Sequence, residues 1–262
     1  HLLCARLRPS NIDASAGTVE ELERIVEQIR RHWSEVKIVV RGDSGFCRDQ
    51  LMSWCEAHEV GFVLGIAKNQ RLKAAIAEEL ADAEALHEET DQAARVFKDF
   101  RYRTRKSWSR ERRVVGKAEH LSQGPNPRFV VTSLTPAELD ARALYEDLYC
   151  ARGDMENRIK EQQLGLFADR TSSTVFSANQ LRLWFSSVAY VLLSELRRVG
   201  LRGTELARAQ CSTIRTKLLK VGAQVSLSVR RIWVRCASGC PYQGVFAKAL
   251  DNLQTHYLPL RV

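Results

Sequence analysis

Three groups of residues in this sequence have types and spacings that could do chemistry. The first is Asp43, in Arg41-Gly42-Asp43-Ser44-Gly45-Phe46, directly after the apolar run Val36–Val40. A carboxylate at the carboxyl end of a parallel strand sits at the mouth of a sheet, where α/β proteins bind ligands. The flanking glycines are expected to let the backbone turn sharply and a ligand come close. The plainer alternative is a turn aspartate that caps the next helix.

The second group is Tyr149, Arg152, Glu156, Lys160 and Gln163, at spacings of three, four, four and three. At 3.6 residues per turn they share one stripe of a helix. Leu144, Leu148, Ala151, Met155 and Ile159 fall on the opposite side, the expected core face. A row of Tyr, Arg, carboxylate and Lys suits a phosphodiester: Glu binds a divalent metal, Arg and Lys hold phosphate oxygens, and Tyr donates to phosphate or stacks. The alternative is a solvated face laced with salt bridges. The third group is basic: Arg101, Arg103, Arg105, Lys106, Arg110, Arg112, Arg113 and Lys117, interleaved with Tyr102 and Trp108 against the single acid Glu111. Cations with aromatics suit a surface that tracks a nucleic-acid backbone, with Trp108 as a stacking platform for an unpaired base. The expected contacts are Arg105, Lys106, Trp108, Arg110, Arg112 and Arg113. An exposed edge strand guarded by charge is the other reading.

The elements that must position these groups are legible in outline. Residues 1–7 read as a strand, and Thr18 with Glu21 reads as a capping box for a helix from about Val19 to Trp33. Val36–Val40 is a strand, Asp49–His58 a helix, Phe62–Ala67 a buried strand, and Leu72–Leu86 a helix. This alternation predicts an α/β sheet with parallel strands. Val96–Tyr102, Arg112–Ala118 and Phe129–Ser133 are β-like and read as an antiparallel insertion in the α/β layer. After Pro136 the chain reads as helical to about Gln163. A long helix is expected from about Ala178 to Arg198, capped by Ser177 and followed by Gly200. A basic helix near Ser212–Val221, a strand near Val225–Val234 and a short helix near Val245–Leu253 follow.

The 262 residues are 45% hydrophobic and 27% charged, an ordinary globular balance. A formal charge of +9 and a pI near 9.4 suit a polyanionic partner, of which nucleic acid is the commonest. No apolar run is long enough to span a membrane and no signal peptide is visible, so a cytoplasmic protein is expected. The seven cysteines are scattered without a C-x-x-C pair, and free thiols are the expectation. Cys55-x-x-His58 with Cys236-x-x-x-Cys240 makes a poor zinc set, because its halves are distant. No cysteine sits in a recognisable nucleophile context.

Arg41–Phe46 and Tyr149-Cys150-Ala151-Arg152-Gly153-Asp154-Met155-Glu156-Asn157 together resemble the DDE transposases of bacterial insertion sequences. The resemblance is to the insertion-sequence 1380 family. Leu7-Arg8-Pro9-Ser10-Asn11, Ser107-Trp108-Ser109-Arg110 and Ala168-Asp169-Arg170-Thr171-Ser172 fit the same group, so nearly the whole chain is covered. The resemblance implies a ribonuclease-H-like mixed sheet with flanking helices, interrupted by a β-rich insertion and followed by a helical C-terminal part. Residues 1–90 would be the first part of the catalytic core and 91–135 the basic insertion. Residues 136–200 would hold the catalytic helix and the rest of the core, and 201–262 a basic C-terminal region.

The same resemblance implies that Asp, Asp and Glu bind two Mg²⁺ ions (Mn²⁺ as substitute), about 3.5–4 Å apart. Asp43 matches the second Asp, Glu156 the third carboxylate, and Tyr149 and Arg152 the Tyr and Arg around that Glu. Gln163 stands where the usual signature has a Lys, with Lys160 one turn nearer on the same face. The first Asp belongs on the first strand of this fold. Residues 1–7 read as the third strand, so the chain is expected to be truncated before that Asp. Asp13, the only Asp upstream of Asp43, is expected in a loop and is a poor substitute. The implied activity is strand cleavage and strand transfer at the terminal inverted repeats, inactive in this chain. The implied partners are double-stranded end and target DNA, bound as a homodimer and nucleoid-associated. Trp108 could hold a flipped base during a hairpin step. The rival readings are a non-catalytic DNA-binding remnant, another ribonuclease-H-like nuclease, and a chain that does not fold stably alone.

Overall fold

A computed structural model of the chain describes residues 1–257. They fall into two compact units, Arg8–Met155, and His1–Leu7 with the described residues from Glu156 onward. Among the described residues no helix is long and apolar enough to cross a membrane.

The unit Arg8–Met155 opens with helix α1 (Thr18–His32), which turns Val19, Leu22 and Val26 to the core. Strand β1 (Val39–Gly42), α2 (Asp49–Ala57) and β2 (Gly61–Ile66) form a crossover, so β1 and β2 pair in parallel. Helices α3 (Gln70–Ala75) and α4 (Ala77–Thr90) follow, then strands β3 (Ala94–Tyr102), β4 (Arg112–Leu121), β5 (Gly124–Pro125) and β6 (Arg128–Thr132). The sheet order is β1-β2-β6-β4-β3, with β5 beside β4. Every pairing except β1–β2 is antiparallel. The parallel pairing expected before residue 90 is present in β1–β2, and the later strands add antiparallel pairs, so the sheet is mixed. Only one helical crossover joins neighbouring strands, and the short β3–β4 and β4–β6 connections can close only antiparallel pairs. The β-like stretches after residue 90 extend the same sheet as β1 and β2. The mixed sheet with flanking helices is compatible with a ribonuclease-H-like fold.

Alternation along β2 fills both faces. Phe62 and Leu64 pack with Leu51, Met52 and Cys55 of α2 and with Leu72 and Ile76, while Val63 packs with Val115, Val130, Leu144 and Tyr145. A short helix α5 (Ala141–Ala143) passes into a π-helical turn, Leu144–Tyr149. Helix α6 (Arg152–Lys160) begins after a break at Cys150–Ala151 and leads into a second π turn, Glu161–Gly165. The single helix expected to about Gln163 is thus interrupted twice. Its expected core face is only half realised. Leu144 is buried, but Met155 and Ile159 are each 44% exposed.

The second unit is helical. Helix α7 (Phe176–Glu195), its π-helical extension Leu196–Gly200, α8 (Cys211–Ile214), the π turn Arg215–Leu219 and α9 (Gln243–Tyr257) enclose Tyr190, Leu193, Leu201, Leu206, Ile214 and Leu218. Val175 rather than Ser177 caps α7. Residues 1–7 form no strand. Leu7 N–H donates to Oε1 of Gln180 at 2.8 Å, Nε2 of Gln180 donates to the Ala5 carbonyl at 3.2 Å, and Leu2 packs on the helical core. The backbone polarity that a sheet ladder would satisfy is met there by one glutamine of α7. Strands β7 (Ala223–Leu227) and β8 (Ile232–Cys236) pair as an isolated hairpin, where one strand was expected.

Candidate active site

Asp43 follows the last residue of β1, as its place in the sequence requires. It also caps the 3-10 turn Ser44–Phe46, its Oδ1 accepting from Gly45 N–H at 2.8 Å. The turn role and the strand-end position are therefore both present in one residue. One carboxylate oxygen is engaged by the turn. Oδ2 lies 3.9 Å from Nη1 of Arg152, and the side chain is 53% exposed. Gly45 has no left-handed backbone, so its freedom is not what the turn uses. A Cβ there would stand 3.0 Å from Oδ1 of Asp43, and the glycine keeps that oxygen clear.

Tyr149 ends the first π turn and lies half-buried beside Asp43. Its hydroxyl rests against β2, where a Cβ on Gly65 would meet it at 2.5 Å and Ser44 N at 3.2 Å. The Arg152 guanidinium lies over the Tyr149 ring at 5.6 Å, and the ring tilts against Tyr145 at 5.5 Å. Burial pushes the Tyr149 hydroxyl up, Arg152 offsets part of this, and Asp43 adds to it. The phenol therefore stays protonated at neutral pH and is a donor. The Arg41 guanidinium donates to the Leu148 carbonyl and ties β1 to the segment that carries Tyr149.

These residues line an open cleft of about 620 Å³ within the first unit. Its wall also carries Lys68 and Arg128, exposed cations that the motif reading passed over. Lys68 lies two residues past the end of β2, so the strand-end argument that singles out Asp43 applies to it as well. Arg128 opens β6, and only the antiparallel pairing of Phe129 with Ile66 brings it to that end of the sheet. The cleft therefore combines one carboxylate, two phenols and three cations around exposed strand ends. That set is suited to binding a phosphodiester.

The other predicted residues are distributed differently. Glu156, Lys160 and Gln163 are exposed, Glu156 and Lys160 on α6 and Gln163 in the second π turn. Asp13 accepts from Ser15 N–H and Oγ and from Arg48 at 2.8 Å. The Ser15 hydrogen bonds, with Arg48, hold its carboxyl well below the usual range. Among the described residues no three His, Cys, Asp or Glu side chains are grouped as a metal site.

The basic stretch of β3 and β4 needs a larger correction. Trp108 is 5% exposed and packs edge-on against Tyr102, with centroids 5.7 Å apart. It is a core residue and offers no outward platform for a base. Arg112 is buried, pairing with Asp49 at 2.7 Å and Glu56 at 2.7 Å. Arg113 is buried against Asp99 at 2.6 Å and the Leu134 carbonyl. β4 lies between β3 and β6, and a guanidinium in such an interior strand must find carboxylates or carbonyls. Arg105, Lys106 and Arg110 stay exposed, with Arg110 3.1 Å from Glu56.

The family model for transposase DDE domain group 1 matches residues 1–258. No curated protein matches the chain.

Proposed function

The chain belongs to the transposase DDE domain family, group 1, and from that premise we propose that its cleft grips a DNA phosphate for strand cleavage and strand transfer at insertion-sequence ends, in an enzyme of the insertion-sequence 1380 type. One observation carries this reading: Asp43 stands at a strand end with Arg152 3.9 Å away and the Tyr149 ring beneath that guanidinium. Arg152 holds non-bridging phosphate oxygens, the protonated Tyr149 hydroxyl donates to the same group, and Lys68 and Arg128 receive the flanking phosphates. Glu156 is the residue that the resemblance assigns as the third carboxylate of the reaction. Asp43 and Glu156 would supply two of the ligands to Mg²⁺ or Mn²⁺. The partner is double-stranded end and target DNA, bound by a homodimer.

A second reading is favoured by the absence of a three-ligand group among the described residues. These 262 residues then bind DNA without cutting it. The experiment is a nicking assay on an end-containing duplex, with the purified chain, in Mg²⁺ and in Mn²⁺. Nicking in either metal supports strand cleavage, and DNA binding without nicking supports the second reading. Nicking that Asp43→Ala abolishes would overturn the inactive reading and establish the chain as catalytically complete.

A further inference from the structure

We propose that the β7–β8 hairpin is a second DNA-contacting surface, remote in sequence from the cleft, whose Arg230, Arg231 and Arg235 take backbone phosphates beside Trp233. The proposal rests on the DNA-handling function above.

Charge is the first observation. Between residues 206 and 250 the chain has no Asp or Glu but eight Lys and Arg, against a formal charge of +9 for all 262 residues. Nearly the whole positive excess is thus concentrated in the segment that carries the hairpin. The register is the second. Val225 pairs with Val234 and Leu227 with Ile232, so one face is apolar. Gln224 pairs with Arg235 and Ser226 with Trp233, so the other face is polar and basic. Arg231, the tip residue next to β8, joins that face through its contact with Trp233, giving a row Arg231, Trp233, Arg235. Arg231 lies over the Trp233 ring at 5.9 Å. The tip, Ser228–Arg231, is closed by Ser228 N–H donating to the Arg231 carbonyl at 2.8 Å, and it holds Arg230 outward.

Exposure is the third. All three arginines are exposed, and among the described residues none is paired with a carboxylate. The buried guanidiniums of β4 show what this chain does with an arginine that serves the fold: it supplies Asp49, Glu56 or Asp99. The hairpin arginines have no such provision. Along a strand, alternate side chains are about 6.8 Å apart, twice the ~3.4 Å rise per phosphate on one DNA strand, so the row can follow a backbone. A two-stranded ribbon also has the width that the DNA major groove admits.

The test is fluorescence anisotropy of the full chain on a linear duplex, across a salt series in EDTA. The triple variant Arg230→Gln, Arg231→Gln, Arg235→Gln should bind at least about tenfold more weakly at low salt. Its slope of log affinity against log salt should be shallower by about 2–3, since each lost phosphate contact removes about 0.9. The matching Lys triple variant should keep most of the slope, which separates charge from a folding defect. Unchanged affinity and slope in the Gln variant would overturn the proposal. So would a change confined to sedimentation, which would make the hairpin a contact between copies of the chain. Wild-type chain without salt-dependent DNA binding would overturn this proposal and the function together. Binding that responds to Arg152→Ala but ignores the hairpin would overturn this proposal alone.

Discussion

Gly65 is the residue on which the position of Tyr149 turns. Because a Cβ there would stand 2.5 Å from the Tyr149 hydroxyl, Gly65→Ala should push the phenol out of its place. The expected loss is about 1–3 kcal/mol of stability in denaturant unfolding, the usual range for overpacking a filled site. Tyr149→Phe removes the clashing oxygen, so the same substitution in that background should cost clearly less. Equal losses in both backgrounds would mean that the hydroxyl does not sit against β2. Sequence patterns could find Asp43 and the Tyr–Arg pair, because a strand end and a three-residue spacing are local facts. They could not find Gly65 or Arg128, whose roles exist only through strand pairing.

Individual elements make different demands on their charged residues. Arg112 is enclosed, so Arg112→Ala strands Asp49 and Glu56 and should destabilise the first unit by about 2–4 kcal/mol, the lower part allowing for the partial exposure of its partners. A double Arg105→Ala, Lys106→Ala variant should leave the melting temperature unchanged and weaken DNA binding a few-fold. Unchanged DNA binding by the double variant would take Arg105 and Lys106 off the DNA surface, and an Arg112→Ala variant of unchanged stability that binds DNA more weakly would put Arg112 on it. The sequence shows the density of basic residues there but not which strand lies inside the sheet, and burial decides the matter. Element types were otherwise legible from periodicity. The exceptions were residues 1–7, where a side chain of α7 replaces a ladder, the helix around Glu156, where π turns defeat a 3.6-residue count, and Val225–Val234, where a hairpin takes the place of one strand.

The second unit depends on Glu161 in a comparable way. It accepts from Cys211 N–H at 2.6 Å and from Arg197 at 2.9 Å. Burial alone would raise its carboxyl, but the Cys211 hydrogen bonds and Arg197 outweigh that and hold it below the usual range. A depressed folded pKa gives stability that is present above the unfolded value and lost as pH falls through the folded one. Glu161→Gln should therefore lower stability by about 1–3 kcal/mol at pH 7 and flatten the decline of the melting temperature on the acid side of about pH 4.5. A variant that melts like the wild type at both pH 7 and pH 3 would show that Glu161 holds nothing.

At the scale of the whole molecule, the proposed seat of a DNA phosphate is the cleft of Asp43, Tyr149 and Arg152, in a chain of the transposase DDE domain family. Resemblance in the sequence pointed to that family, and the match over residues 1–258 established it. The most direct test is the affinity of the chain for an end-containing duplex in EDTA, compared between wild type, Arg152→Ala and Asp43→Asn. Arg152→Ala should bind about tenfold more weakly, with a salt slope shallower by about one, as for loss of a single phosphate contact. Asp43→Asn should bind more tightly, by about fivefold, because it removes a like charge worth ~1 kcal/mol at contact distance in water. Tighter binding by Asp43→Asn with weaker binding by Arg152→Ala is the predicted result. Unchanged affinity in both variants, or weaker binding by Asp43→Asn, would contradict it.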